Sequence, residues 1–283
     1  MKKETVMKIL DRVLALLFNA CLLFSVAVGS VFAIASSPQY YYDQFEATGV
    51  YATVDENGNE MRKVIRFVGG ADSGISACFT DEQLNELIDH IIAYLFTDME
   101  SFTLVMDDVT VLTSSNQRGE QRDGVNIFGD VAVSHMADVK GLLQTLGTVA
   151  LVMGIAGACM LVYFIVRAVK GQGGVLFKYT LIFYGTFVGL IGAFCLFTCI
   201  QMRVEEIPME YYLDMIWRNF HFIIFPNPEQ ATGSFFNDTL TMILSLDLFM
   251  AAVVEVLVII GISVVALAVL AKILDRRVKK MNV

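Results

Sequence analysis

The chain has 283 residues, of which 56% are hydrophobic and 17% charged, with a mean hydropathy of +0.62 and a formal net charge of −9. Soluble domains run at about a quarter charged and under half apolar, so a soluble globular protein, a nucleic-acid binder and a disulfide-stapled secreted domain are excluded. The apolar excess is gathered into four runs, 13–35, 141–166, 179–202 and 248–271. Each reaches the roughly 20 apolar residues that a bilayer-spanning helix needs, and the reading is an all-α polytopic membrane protein with four transmembrane helices.

Charge divides sharply between the segments that these spans separate. The N-terminus 1–12, the loop 167–178 and the tail 272–283 together hold 12 basic and 3 acidic residues. Segment 36–140 holds 18 acids against 6 bases, and segment 203–247 holds 7 against 2. Lys and Arg are retained on the cytoplasmic side of short loops. Both termini and 167–178 are therefore predicted inside, and both acidic segments outside. The Lys-rich start followed by Ala33-Ile34-Ala35 also has the form of a cleavable signal peptide. Its apolar run of 23 residues exceeds the usual ~7–15 of such a signal, so an uncleaved anchor is favoured.

Segment 36–140 has the length of a small folded domain, predicted α+β and extracytoplasmic. Strand formers flank Asn57-Gly58, whose positive φ angles suit a tight β-hairpin. Asp55, Asn57 and Asn59 have the spacing of a calcium loop, but Glu60 replaces its required glycine, so no metal is expected. Thr80 and Gln83 form a capping box with Phe79 and Leu84 as its staple, opening a helix whose inward stripe is Leu84, Leu87, Ile88, Ile91 and Leu95. His90 lies off that stripe and reads as a solvated surface residue. A strand is predicted near 102–112 and a loop over the polar stretch 113–124.

Segment 203–247 is rich in aromatics, among them Tyr211, Tyr212, Trp217, Phe220, Phe222 and Phe225. Such rings favour the headgroup level of a bilayer, so this stretch is predicted to lie on the outer leaflet. Four of the five cysteines fall within spans and Cys78 stands alone, which leaves no disulfide framework. Gly154, Gly157, Gly185, Gly189 and Gly192 have the spacing that allows close helix approach in lipid.

Three polar features call for a chemical explanation. His135-Met136-Ala137-Asp138-Val139-Lys140 leads directly into the second span. On a continuous helix His135 stands about 9 Å above Gly141, at the depth of glycerol and ester groups. Asp138 shares its side of the helix and could hold the imidazole in one tautomer; the competing reading is an interfacial polar turn with Lys140 on lipid phosphate. His221 sits among phenylalanines, where partial desolvation favours the neutral form that a general base must have. Arg218 beside it could bind an anion; an amphipathic interfacial anchor is the alternative. Glu255 lies inside the fourth span, where a carboxylate costs about 2.5–3.5 kcal/mol near the helix centre. It calls for a partner, such as Asn19 or a tyrosine hydroxyl, or for a polar cavity.

No Gly-rich phosphate loop, nucleophile elbow or zinc motif occurs, and no cofactor is expected. Two histidines at the outer interface suit proton transfer on a lipid-like substrate without a covalent nucleophile. The order of anchor, acidic segment, His135-Met136-x-Asp138-Val139-Lys140 and Phe220-His221-x-x-x-Phe225 resembles the lipoprotein intramolecular transacylase (Lit) family of Gram-positive bacteria. Ala132 and the tryptophan-free stretch 226–236 depart from its pattern. The resemblance implies a bacterial plasma-membrane acyltransferase acting on a lipoprotein or lipid substrate in the outer leaflet. It would move an acyl chain from the diacylglyceryl group to the α-amino group of the N-terminal cysteine. His135 and His221 would be the catalytic pair, with Asp138, Lys140, Arg218 and Glu255 supporting. The alternative is a non-catalytic membrane protein whose acidic domain senses or binds an envelope partner.

Overall fold

The structure is a computed structural model describing residues 3–51, 53–54, 60–61, 64–66, 76–113, 116–205, 208, 215–216, 219, 222–225 and 239–281. Among these residues four long helices dominate: α1 (Lys3–Ala35), α4 (Asp130–Val169), α5 (Leu176–Glu205) and α7 (Leu246–Met281). Each contains one of the predicted apolar runs and is long and apolar enough to cross a membrane. Only 6–22% of their most apolar windows is buried within the protein. Val188, Leu190, Leu196, Ile262 and Val265 are all more than 60% exposed. At roughly 25 cal/mol per Å2 that much apolar surface would be costly in water, whereas in lipid a helix satisfies its own backbone and presents its side chains outward.

The chain forms two compact units. One comprises Met1–Val31, Leu146–Leu213 and Val253–Val283. Its core gathers Ala15, Phe18, Phe164, Leu176, Tyr184, Leu267 and Ala271. Gly154 faces Ser25 and Gly157 faces Cys21, so α1 and α4 approach closely there, as the spacing implied. Gly185, Gly189 and Gly192 of α5 face open space instead. Asp11, 2% exposed, binds Arg167 Nη2 at 2.7 Å and accepts the Tyr163 hydroxyl at 2.6 Å. Asp275 of α7 accepts the backbone N–H of Phe177, which satisfies an otherwise orphaned donor in the first turn of α5. Ser25 and Ser263 line an apolar cavity of about 470 Å3 between α1, α4 and α7, and their hydroxyls bond backbone carbonyls of Ala150 and Ile259.

The second unit comprises Phe32–Thr145 and Asp214–Ala252 and contains all the described strands. α2 (Pro38–Ala47) and α3 (Asp81–Phe96) accompany eight short strands and the short helix α6 (Thr239–Ile243). β1 (Thr53–Val54) and β2 (Glu60–Met61) pair antiparallel, as the hairpin reading required; the Asn57-Gly58 turn lies outside the described residues. β3 (Val64–Arg66), β4 (Ser76–Cys78), β6 (Val109–Thr113) and β7 (Asn116–Arg122) form a sheet in that spatial order. β5 (Val105–Met106) pairs separately with β8 (Val125–Asn126).

The capping box of α3 is present: Gln83 N–H donates to Thr80 Oγ1 and Thr80 N–H to Gln83 Oε1. Leu84, Leu87, Ile88 and Ile91 are buried, with Leu95 packed at the margin. Two expectations need correction. The stretch read as a loop over 113–124 carries β7, a polar edge strand; a polar edge discourages pairing with other chains. His90 is not free on the surface. Its Nε2 lies 3.1 Å from the carbonyl oxygen of Phe102, a partner twelve residues away that no helical periodicity could reveal.

Candidate active site

α4 runs unbroken from Asp130, so His135 occupies the second turn of the same helix that carries the apolar run of the second span. Ala132 and Met136, each no more than 3% exposed, form its inward stripe, and Phe128, 1% exposed, is buried just before the helix begins. His135 lies beside that stripe and is itself only 5% exposed. Its ring meets the ring of Phe225, with centroids 4.6 Å apart and planes crossed at 66°. Phe225 is 7% exposed, while Phe222 and Ile223 just before it are 69% and 79% exposed. The structure thus joins the two motifs picked out in the sequence, through the end of the second. The sequence places Phe225 at the end of the motif Phe220-His221-x-x-x-Phe225, but its contact with His135 joins residues ninety positions apart, which spacing does not show.

Asp138 is half-buried one helical turn beyond His135. Lys140 is engaged within the protein. Its Nζ donates to the carbonyl oxygens of Thr97 at 3.0 Å and Met99 at 2.7 Å, and sits 4.5 Å from the centre of the Tyr94 ring. Those carbonyls lie just past the C-terminus of α3, where the helix dipole favours a cation. Lys140 therefore fastens α4 to α3, in place of the lipid-phosphate contact weighed from sequence.

Glu255 belongs to the other unit, exposed on α7, and makes no hydrogen bond or ion pair with a described residue. Asn19, its suggested partner, donates from Nδ2 to the carbonyl of Ala15 at 2.6 Å. His221 and Arg218 lie outside the described residues. No group of three or more His, Cys, Asp or Glu residues poised for a metal occurs among the described residues. All five cysteines are free, and Cys159, Cys195 and Cys199 are exposed on their helices.

A family model described as lipoprotein intramolecular transacylase Lit matches residues 15–229. The chain belongs to the Lit family. No curated protein matches it. Its fold resembles solved structures of the membrane-integral Lit protein of Bacillus cereus. A variant of that protein with one histidine replaced by alanine aligns with a TM-score of 0.60 and 17% identity, over 99% of this chain and 100% of that one. The corresponding arginine variant gives 0.56 and 16%, over 98% and 96%. A third Lit structure gives 0.54 and 17%, over 96% and 97%. At such identity the likeness establishes the fold. Family membership establishes a membrane transacylase in general terms, and four apolar helices agree with a multi-pass membrane protein.

Proposed function

We propose that this Lit-family chain makes lyso-form lipoproteins at the outer leaflet of a Gram-positive plasma membrane, with both termini cytoplasmic. The observation that carries the assignment of the site is the ring contact between buried His135 and Phe225, the last residue of the second motif. The exposed apolar side chains of Phe222, Ile223 and Ile224 support a lipid-facing position for that segment. The charge division between segments supports the orientation.

In the proposed reaction the α-amino nitrogen of the lipoprotein cysteine attacks the carbonyl carbon of an ester on its own glycerol. The C–N bond forms as one histidine takes the amine proton. The other hydrogen-bonds the oxyanion of the tetrahedral intermediate and delivers a proton to the departing glycerol oxygen as the C–O bond breaks. The products are an amide and a free glycerol hydroxyl, with no water and no covalent enzyme intermediate required. Amine and ester belong to one molecule, so holding them in a reactive pose supplies much of the rate; effective molarities for such oriented pairs reach about 10⁵–10⁸ M. Asp138 orients the imidazole of His135, while Arg218 serves the anionic part of the substrate. Lys140 contributes by holding the helix that carries the histidine.

Mass spectrometry of lipoprotein N-terminal peptides tests this directly. Cells containing the protein should yield cysteine bearing an N-acyl chain and a monoacylated glycerol; cells lacking it should not. His135→Gln and His221→Gln should each abolish that product while the protein still inserts. An unchanged acylation pattern on removing the protein would end the assignment.

A further inference from the structure

Few voids inside a protein are larger than a water molecule, yet the cavity between α1, α4 and α7 measures about 470 Å3. That is within the range of about 300–1,000 Å3 typical of ligand pockets. The hydroxyls of Ser25 and Ser263 on its wall donate to the Ala150 and Ile259 carbonyls, and Gly154 and Gly157 contribute no side chain. The wall therefore presents no free donor, and an apolar cavity of this kind stays dry. Ala158, Ala266 and Leu270 are exposed, so the cavity opens on the surroundings of the helices. Hydrocarbon is the chemistry that fits it.

Charge decides which hydrocarbon. On each helix the lining lies toward the end that borders a basic segment: 18–26 follows 1–12, 154–161 precedes 167–178, and 263–270 precedes 272–283. Ser263, Leu270 and Arg277 stand seven residues apart, close to two turns, and so share one side of α7. From Ser263 to Arg277 the helix rises about 21 Å at 1.5 Å per residue. A leaflet measures about 20–22 Å from headgroup to midplane, half the thickness of a bilayer with its polar regions. Arg277 is exposed and makes no ion pair with a described residue. Asp275, two positions before it, is turned to the first turn of α5, where it accepts the Phe177 N–H at 3.1 Å. A guanidinium presents paired donors that match a phosphate. We propose that the cavity is a binding site for an anionic glycerophospholipid of the leaflet bordering the basic segments, with one acyl chain between α1, α4 and α7 and its phosphate on Arg277. The site contains none of the residues assigned to acyl transfer, and its test does not depend on activity.

The probes are phosphatidylglycerol and phosphatidylcholine carrying the same photoreactive diazirine near the end of one acyl chain. Each is added in trace to phosphatidylcholine nanodiscs of the full-length protein, and cross-links are mapped by peptide mass spectrometry. Phosphatidylglycerol should label 154–161 and 263–270 about fivefold more than phosphatidylcholine does, the effect of one basic residue on an anionic lipid. The bare stretch of α5 around Leu190 and Leu196, open to any bilayer lipid, should show no such preference. Arg277→Gln should erase the preference, whereas Arg276→Gln, about 100° away round the helix, should leave it. Ala266→Phe, which fills the cavity, should remove labelling there by both probes and keep it on α5. Arg277 is exposed, so its variant tests the site even where Ala266→Phe does not fold. No preference for phosphatidylglycerol in the cavity, the same preference on α5, or equal losses in the two arginine variants would overturn the proposal. Displacement of the label by a synthetic diacylglyceryl-cysteine lipopeptide would also overturn it, by giving the cavity to the substrate.

Discussion

Lys140 shows how far a side chain's role can lie from its local pattern. Beside an apolar run, a lysine reads as an interfacial anchor, yet here it binds Thr97 and Met99 carbonyls more than forty positions away in sequence. Hydrogen bonds from a charged donor are worth about 1.5–3 kcal/mol each. Lys140→Met should lower stability by roughly that amount, and Lys140→Arg should recover part of it, measured by thermal unfolding in detergent. Tyr41 gives a second residue-level expectation. Burial, with a smaller contribution from the neighbouring Tyr40, pushes its phenol up to about 12. The folded state then holds this proton more tightly than the unfolded chain, whose phenols titrate near 10. The stabilisation is complete below that value and disappears as pH rises from about 10 to about 12. The tyrosinate absorbance difference between wild type and Tyr41→Phe should show a group titrating near 12; a group titrating near 10 would contradict the burial.

Among the elements, α3 was legible because its signals are local. A capping box spans four residues and an inward stripe repeats every three or four, so both could be read before any contact was known. Thr80→Ala should cost about 0.5–2 kcal/mol, seen as a lower denaturant midpoint. β7 was not legible. Its sequence, Asn-Gln-Arg-Gly-Glu-Gln-Arg, has no apolar alternation, and it is a strand because β6 offers it a ladder. The register shifts between Val111 and Thr113 on β6, and Gly119 lies within the irregular part of β7 with a φ of +75°. A Cβ there would stand 2.6 Å from Thr110 Cγ2. Gly124 also has a positive φ, +69°, but open space around it. Gly119→Ala should therefore destabilise more than Gly124→Ala, which carries only the backbone strain of about 1–2 kcal/mol. Equal losses on chemical denaturation would show that the contact with Thr110 is relieved without cost.

For the whole molecule, the segments expected inside carry the basic charge, although part of it is neutralised within the protein. Arg167 is paired with Asp11, whose side chain is 4% exposed. Removing one partner of such a pair leaves an uncompensated buried charge, at roughly 3–5 kcal/mol. Asp11→Ala should accordingly lower the unfolding temperature in detergent. Asp11→Leu combined with Arg167→Met should restore much of it, because no charge is then stranded. The positive-inside reading depends on the remaining exposed bases, including Arg12, Lys170, Lys272 and Arg276. It predicts that alkaline phosphatase fused after residue 283 is inactive, while the same enzyme inserted near residue 100 is active. The reverse pattern would invert the topology and remove the outer-leaflet assignment.

The sequence by itself determined the four spans, the start of α3 and the two motifs that resemble the Lit family. Transfer of a helix into lipid depends on the summed apolarity of about 20 consecutive residues, a quantity contained in the chain order. Tertiary structure decided that Phe225 packs on His135, that Lys140 fastens α4 to α3, and that a polar stretch completes a sheet edge. These contacts join residues far apart in sequence, and each is small against the conformational entropy of closing the chain. They form only when the many other contacts of the fold have already brought those residues together, so no single segment could announce them.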